Sequence, residues 1–221
     1  MDRKTIAQEY LILAVNEKGK LSLINGTEAK TGMVVAGIMD LLLGNVIKIE
    51  KKKIEVVGEL PAKLANLTTL YEYLLEKNRT ITKVLEDYTI SFTDARLKQL
   101  VSDTGNSLIA LGAASEEKGG LLGGKTLFVP SEEWKESLID SLKTEVMQKE
   151  TISLYDLVLI SLLKETKILK QYFSINETSI FKEKLQNIND NPDSKMVKEM
   201  IGYINEVLAV MIAASAVAVI S

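Results

Sequence analysis

The residues with the most chemistry in reach are Gly119-Gly-Leu-Leu-Gly-Gly-Lys125-Thr126, which satisfy the spacing of a phosphate-binding loop, GxxxxGK[ST]. That chemistry needs a strand entering the loop and a helix leaving it, so that backbone N–H groups and a helix N-terminus converge on phosphate oxygens. Here the run is entered by Ser-Glu-Glu-Lys118 and left by Leu127-Phe-Val-Pro130. A helix begun at Lys125 would carry Pro130 in its second turn, where it removes a hydrogen bond and clashes with the preceding turn. The run therefore reads as the tip of a hairpin, and a nucleotide-hydrolysing enzyme is the weakest of three functional readings. Other chemistry is narrow. The 221 residues include no histidine and no cysteine, which excludes Ser-His-Asp and Cys-His catalysis, thiolate metal sites and disulfides. Carboxylate, lysine or tyrosine chemistry remains. The acidic pairs Glu116-Glu117 and Glu132-Glu133 fall in a turn and in a first helical turn, where solubility and the helix dipole account for them. No metal and no cofactor is expected.

Two features suit contact rather than catalysis. Leu121 and Leu122 stand between glycine pairs and flanking Lys118 and Lys125, an apolar finger fit for a membrane interface or a partner's groove. Lys51, Lys52 and Lys53 form a basic turn, which becomes informative if it shares a face with that finger. With net charge −3 the chain lacks the basic excess that displaces counterions from nucleic acid, so no nucleic-acid partner is expected. The residues after Met1 form a charged amphipathic segment and not a signal-peptide apolar run, so a cytoplasmic protein is expected.

The elements that must position these residues are mostly helical. Apolar spacing and end signals predict helices over 5–16, 27–43, 62–77, 81–88, 93–112 (Thr93 as N-cap), from Ser131, and over 153–173, 177–188 and 194–220. Residues 46–49 and 54–57 alternate and read as a small β-hairpin turning through 50–53; a second hairpin has its tip over 116–125. Trp134 and Tyr155 read as core or boundary anchors. Residues 207–220 are apolar on every face. A run of about 14 is short for a bilayer, which takes roughly 20, so it reads as a buried core helix. The expected fold is mainly α, one domain over 1–221, a helix bundle around a buried C-terminal helix with two small β-hairpins.

The order of four segments resembles the Golgi phosphoprotein family: residues 5–19 (TIAQEYLILAVNEKG), 36–47 (AGIMDLLLGNVI), 107–112 with 126–129 (SLIALG, TLFV), and 205–214 (NEVLAVMIAA). The likeness spans nearly the whole chain and suggests a compact, bacterial-type member. It implies a helical fold and a non-enzymatic peripheral membrane or adaptor protein, which in eukaryotic relatives recognises phosphatidylinositol 4-phosphate and inserts an apolar hairpin. The family's headgroup pocket uses a tryptophan and three arginines. These fall on Ile24 and on Val34, Lys98 and Val101, so only Lys98 keeps a positive charge, without arginine's forked donors. The resemblance and the residues leave two expectations: an adaptor at the inner face of a membrane, taking anionic lipid with the specific pocket largely missing, or a cytosolic protein that associates with itself or a protein partner.

Overall fold

The computed structural model describes residues 4–16, 26–90, 93–119, 125–150, 152–190 and 202–203. Leu121, Leu122, the stretch 21–24 and the apolar run 207–220 lie outside the described residues. The chain divides into two compact units, Met1–Ser131 and Glu132–Ser221.

In the first unit, α1 (Ile6–Ala14) is buried at all nine positions and packs on α2 (Gly26–Leu43), twelve of whose residues are buried. α1 begins where Thr5 accepts a hydrogen bond from Gln8 N–H while the Gln8 side chain returns to Thr5 N–H, a reciprocal cap. α2 leads into β1 (Ile47–Glu50), which pairs antiparallel with β2 (Lys53–Val56); the two-residue β3 (Arg79–Thr80) adds to the far edge of β2. The turn expected over 50–53 is tighter than that, because Glu50 and Lys53 pair across it. β3 has no signal in the sequence: two residues carry no alternation to detect.

The helix expected over 62–77 is two pieces. A 3-10 stretch (Ala62–Leu67) changes direction at Leu64, with φ −107° and ψ 16°, before α3 (Thr68–Leu75). The break brings the Asn66 amide, buried, to the Thr104 hydroxyl at 3.5 Å. α4 (Ile81–Thr89) starts on Thr80, whose side chain accepts from Lys83 N–H. α5 (Ala95–Ala110) begins two residues later than expected. Asp94, in the left-handed region at φ 51°, precedes it and makes no cap; its carboxylate is held by Lys30 at 2.8 Å. The stop at Gly112 is as expected: at φ 67° it lies just past the helix, and Ala113 N–H reaches Leu108 O at 2.9 Å.

The second hairpin is longer than the sequence suggests. β4 (Ala114–Gly119) and β5 (Lys125–Pro130) pair in register from Ala114↔Pro130 to Gly119↔Lys125. Polar Glu116, Glu117 and Lys118 read as loop, but a solvent-facing strand tolerates them because the ladder satisfies the backbone whatever the side chains.

In the second unit, α6 (Glu132–Gln148) packs on α7 (Leu154–Glu165) and α8 (Ile175–Asp190). Trp134 and Tyr155 are half-buried boundary residues. The helix expected to run to 173 ends at Glu165. Thr166 turns its hydroxyl onto Leu162 O at 2.7 Å, Lys167 takes φ 63°, and a short 3-10 turn (Leu169–Gln171) comes next. Ser174 and Glu177 cap α8 reciprocally. Eight α-helices with one three-stranded and one two-stranded sheet among the described residues make the fold mainly α with small hairpins, as expected.

One glycine is set by a contact. A Cβ on Gly105 would lie 2.4–2.6 Å from the ring of Phe128, so β5 lies on α5 only because that position has no side chain. Elsewhere in a helix interior Gly→Ala gains about 1 kcal/mol. Here Gly105→Ala is expected to destabilise the first unit by roughly 1–2 kcal/mol through overpacking. In a Phe128→Leu background the same change should become neutral or favourable. A double-mutant cycle on thermal unfolding reads the sign reversal; the same penalty in both backgrounds would disprove the contact.

Candidate functional site

Four groups of polar side chains in the first unit could do work, and they divide into structural ones and available ones. The most buried is Asp40 of α2. Its two carboxylate oxygens accept the N–H groups of Ile6 and Ala7 at 2.8 Å each. Thr5 takes Gln8 N–H, so the first three donors of α1, which no helix can satisfy internally, are all engaged. Gln8 also donates to Ser107 Oγ at 2.9 Å, and Ser107 donates to Thr104 O at 2.6 Å, extending the network to α5. Burial pushes the Asp40 carboxyl up to about 6, against the pull of the two backbone N–H groups, Thr5 and Lys63. A raised carboxyl in a cavity would suggest an acid–base catalyst. This one has both oxygens occupied by backbone, and its role is to join α1 to α2.

The second group lies where α3, β3 and α4 meet. The buried Arg79 guanidinium lies 3.8 Å from the centre of the Tyr73 ring and donates to Tyr73 O and to Glu76. Tyr73 donates to Asp87 at 2.6 Å, and Lys83 reaches the same carboxylate at 2.7 Å. Burial raises the Tyr73 phenol, helped by Asp87; burial also acts to raise Asp87, but its bonds from Lys83 and Tyr73 outweigh that and hold it below the usual carboxylate range. Each of these groups is committed to another, so the cluster reads as a clasp. No group of His, Cys, Asp and Glu able to hold a metal occurs among the described residues.

The third group carries the residues singled out by family resemblance. Val34 is fully buried in α2, Val101 is half-buried on α5, and Lys98 is exposed, its ammonium donating to Thr93 O at 2.8 Å. Ile24 lies outside the described residues. Two arginine positions are therefore filled by apolar packing, and Lys98 stands as the cation of the set, with the Lys30–Asp94 pair nearby. Lys98 and Gly105 are seven residues apart on α5 and share one face. Phe128 covers that face at Gly105. The β4–β5 ladder starts beside the C-terminal end of α5, where Ala113 N–H reaches Leu108 O, and the ring of Phe128 on β5 lies against Gly105. Lys118 is exposed on β4.

This register also disposes of the phosphate-loop reading. Gly119 ends a strand and Lys125 begins the paired one, so the chain leaves Lys125 as a strand where a phosphate loop requires a helix.

The fourth group is the turn of Lys51, Lys52 and Lys53, all exposed. Ile81, the first residue of α4, donates its N–H to Lys52 O at 3.1 Å, which ties the turn to the start of α4.

The electrostatics give one test. Asp40 binds its proton more tightly folded than unfolded, so between about pH 4 and pH 6 the folded chain holds a proton that the unfolded chain has released. Its contribution to stability is therefore greatest at low pH and falls as pH rises through that window. Against Asp40→Asn, whose amide does not titrate, the parent should lose about 2 kcal/mol of relative unfolding free energy between pH 4 and pH 7. Urea unfolding at the two pH values measures it; a constant difference would rule out a raised carboxyl.

Among known proteins, the family described as Golgi phosphoprotein 3 (GPP34) matches residues 6–204, through both units. No curated protein matches the chain.

Proposed function

For a chain that belongs to the Golgi phosphoprotein 3 (GPP34) family, we propose a non-enzymatic peripheral membrane or adaptor role in which the β4–β5 hairpin and Lys98 meet an anionic lipid surface. The observation that carries it is the β4–β5 ladder, whose last pair, Gly119 and Lys125, brackets the Leu121-Leu122 segment of the sequence. An apolar tip at Leu121 and Leu122, flanked by Lys118 and Lys125, combines hydrophobic insertion with attraction to lipid charge. The absence of histidine and cysteine, with Asp40, Tyr73 and Asp87 all engaged in structure, supports a role without catalysis. No helix among the described residues is long and apolar enough to cross a membrane, so contact at one face is the form proposed.

Recognition is proposed for anionic lipid as a class. At the positions that correspond to the family's phosphoinositide pocket, a buried Val34 and a half-buried Val101 offer no charge, and one lysine holds a headgroup only as a point charge. The family fold over 1–221 is proposed to act as one module, since the match runs through both units.

A second reading rests on the sheet itself. β4–β5 is two-stranded, and neither outer edge pairs with another strand among the described residues. Such edges can take a strand from a second copy, which would make a cytosolic self-associating protein.

Flotation with phosphatidylserine vesicles separates the two. The membrane reading expects lipid-dependent flotation, abolished by Leu121→Asp with Leu122→Asp and weakened about fivefold by Lys98→Ala. Equal flotation of the double variant would overturn it. The second reading expects a concentration-dependent oligomer in sedimentation, lost in the same variant, with no response to lipid.

A further inference from the structure

We propose that the Lys51-Lys52-Lys53 turn is a rigid, preformed contact for the headgroups of anionic lipid. Glu50 and Lys53 pair directly, so Lys51 and Lys52 alone make the turn, with φ of 49° and 67°. A two-residue hairpin of this type puts both central residues in the left-handed region, where Asn-Gly fits without strain and a Cβ crowds the following carbonyl. Lysine at both positions is a poor choice for folding, and the exposed ammonium of Lys51 is its evident benefit.

Three further observations point outward. All three lysines are exposed. Lys48, on the adjoining strand, is held by Glu50 at 3.3 Å and Glu55 at 3.0 Å, whereas Lys51 and Lys53 have no ion-pair partner among the described residues. The turn is also braced: Ile81 N–H donates to Lys52 O, and Lys53 pairs with Thr80 across the β2–β3 ladder. A strained conformation persists when its surroundings over-determine it, and it concentrates at functional sites.

Charge and shape select the occupant. The chain carries net charge −3, so a long polyanion such as duplex nucleic acid meets repulsion beyond the tip. A lipid surface can be touched by the tip alone, and each lysine there adds to the attraction. The inference rests on the membrane reading above and adds a second contact to it.

Because the turn opposes folding and charge, one substitution separates them. Lys51→Asn with Lys52→Gly supplies the preferred turn and removes two charges. The full chain so altered should melt about 2–4 °C higher. It should bind phosphatidylserine vesicles roughly thirtyfold more weakly at low salt, with binding to phosphatidylcholine vesicles unchanged. Lys53→Thr, which leaves the turn intact, should weaken binding about fivefold. Undiminished binding by both variants, while Leu121→Asp with Leu122→Asp abolishes it, would overturn the inference and leave the membrane reading standing. Failure of the parent chain to bind any anionic vesicle would remove both. Weakening of soluble heparin binding alone, with vesicle binding intact, would also overturn the inference.

Discussion

The carboxylate of Asp40 is the constraint from which the first unit is built. A helix buried on every side cannot leave its opening N–H groups without acceptors. Asp40 supplies two acceptors from the next helix, and Thr5 supplies a third from within. The ionised carboxylate faces the positive end of α1, which offsets part of the cost of burying it. Once α1 is fixed to α2 in this way, Gln8 fixes α5 through Ser107. The face of α5 then has one place for β5 to lie, over Gly105. The setting of the candidate lipid-contact hairpin thus descends, by contact after contact, from one acid at the centre of the unit.

That descent also explains what could be read in the sequence. Most element boundaries were legible because their signals are local: the serine or threonine caps of α4 and α7, and the glycine after α5. The illegible features were of two kinds. Some breaks need a side chain to turn back on its own helix, as Thr166 does, and a polar pair such as Thr166-Lys167 sits inside many uninterrupted helices. Others depend on partners far away in the chain. Thr93 reads as the cap of α5, but the helix starts after Asp94, whose carboxylate is held by Lys30, 64 residues earlier. β3 exists only because β2 is there to receive it.

The candidate site was legible in its parts more than in its assembly. The leucine finger and the lysine turn stand out because their residue types sit badly in ordinary loops. That Val34 is a core residue, and that the lysine turn is tied to the start of α4, are facts of packing that spacing does not encode. Asp40 was the larger omission. In sequence it is one acid within a leucine run, and only its 34-residue separation from Ile6, closed in the fold, reveals its work. An acid placed among apolar residues on a helix otherwise buried was the available signal.

The chain's single tryptophan gives the two units separate optical signatures. Trp134 sits half-buried in the second unit, whereas the first unit holds Tyr73 and Tyr88 as a buried edge-to-face pair with ring centres 5.4 Å apart. Indole emission therefore tracks the second unit alone, and the near-ultraviolet dichroism of packed tyrosines weights the first. Two probes on one unlabelled sample can ask whether the units melt together, and a difference between the curves would measure the coupling across the family fold.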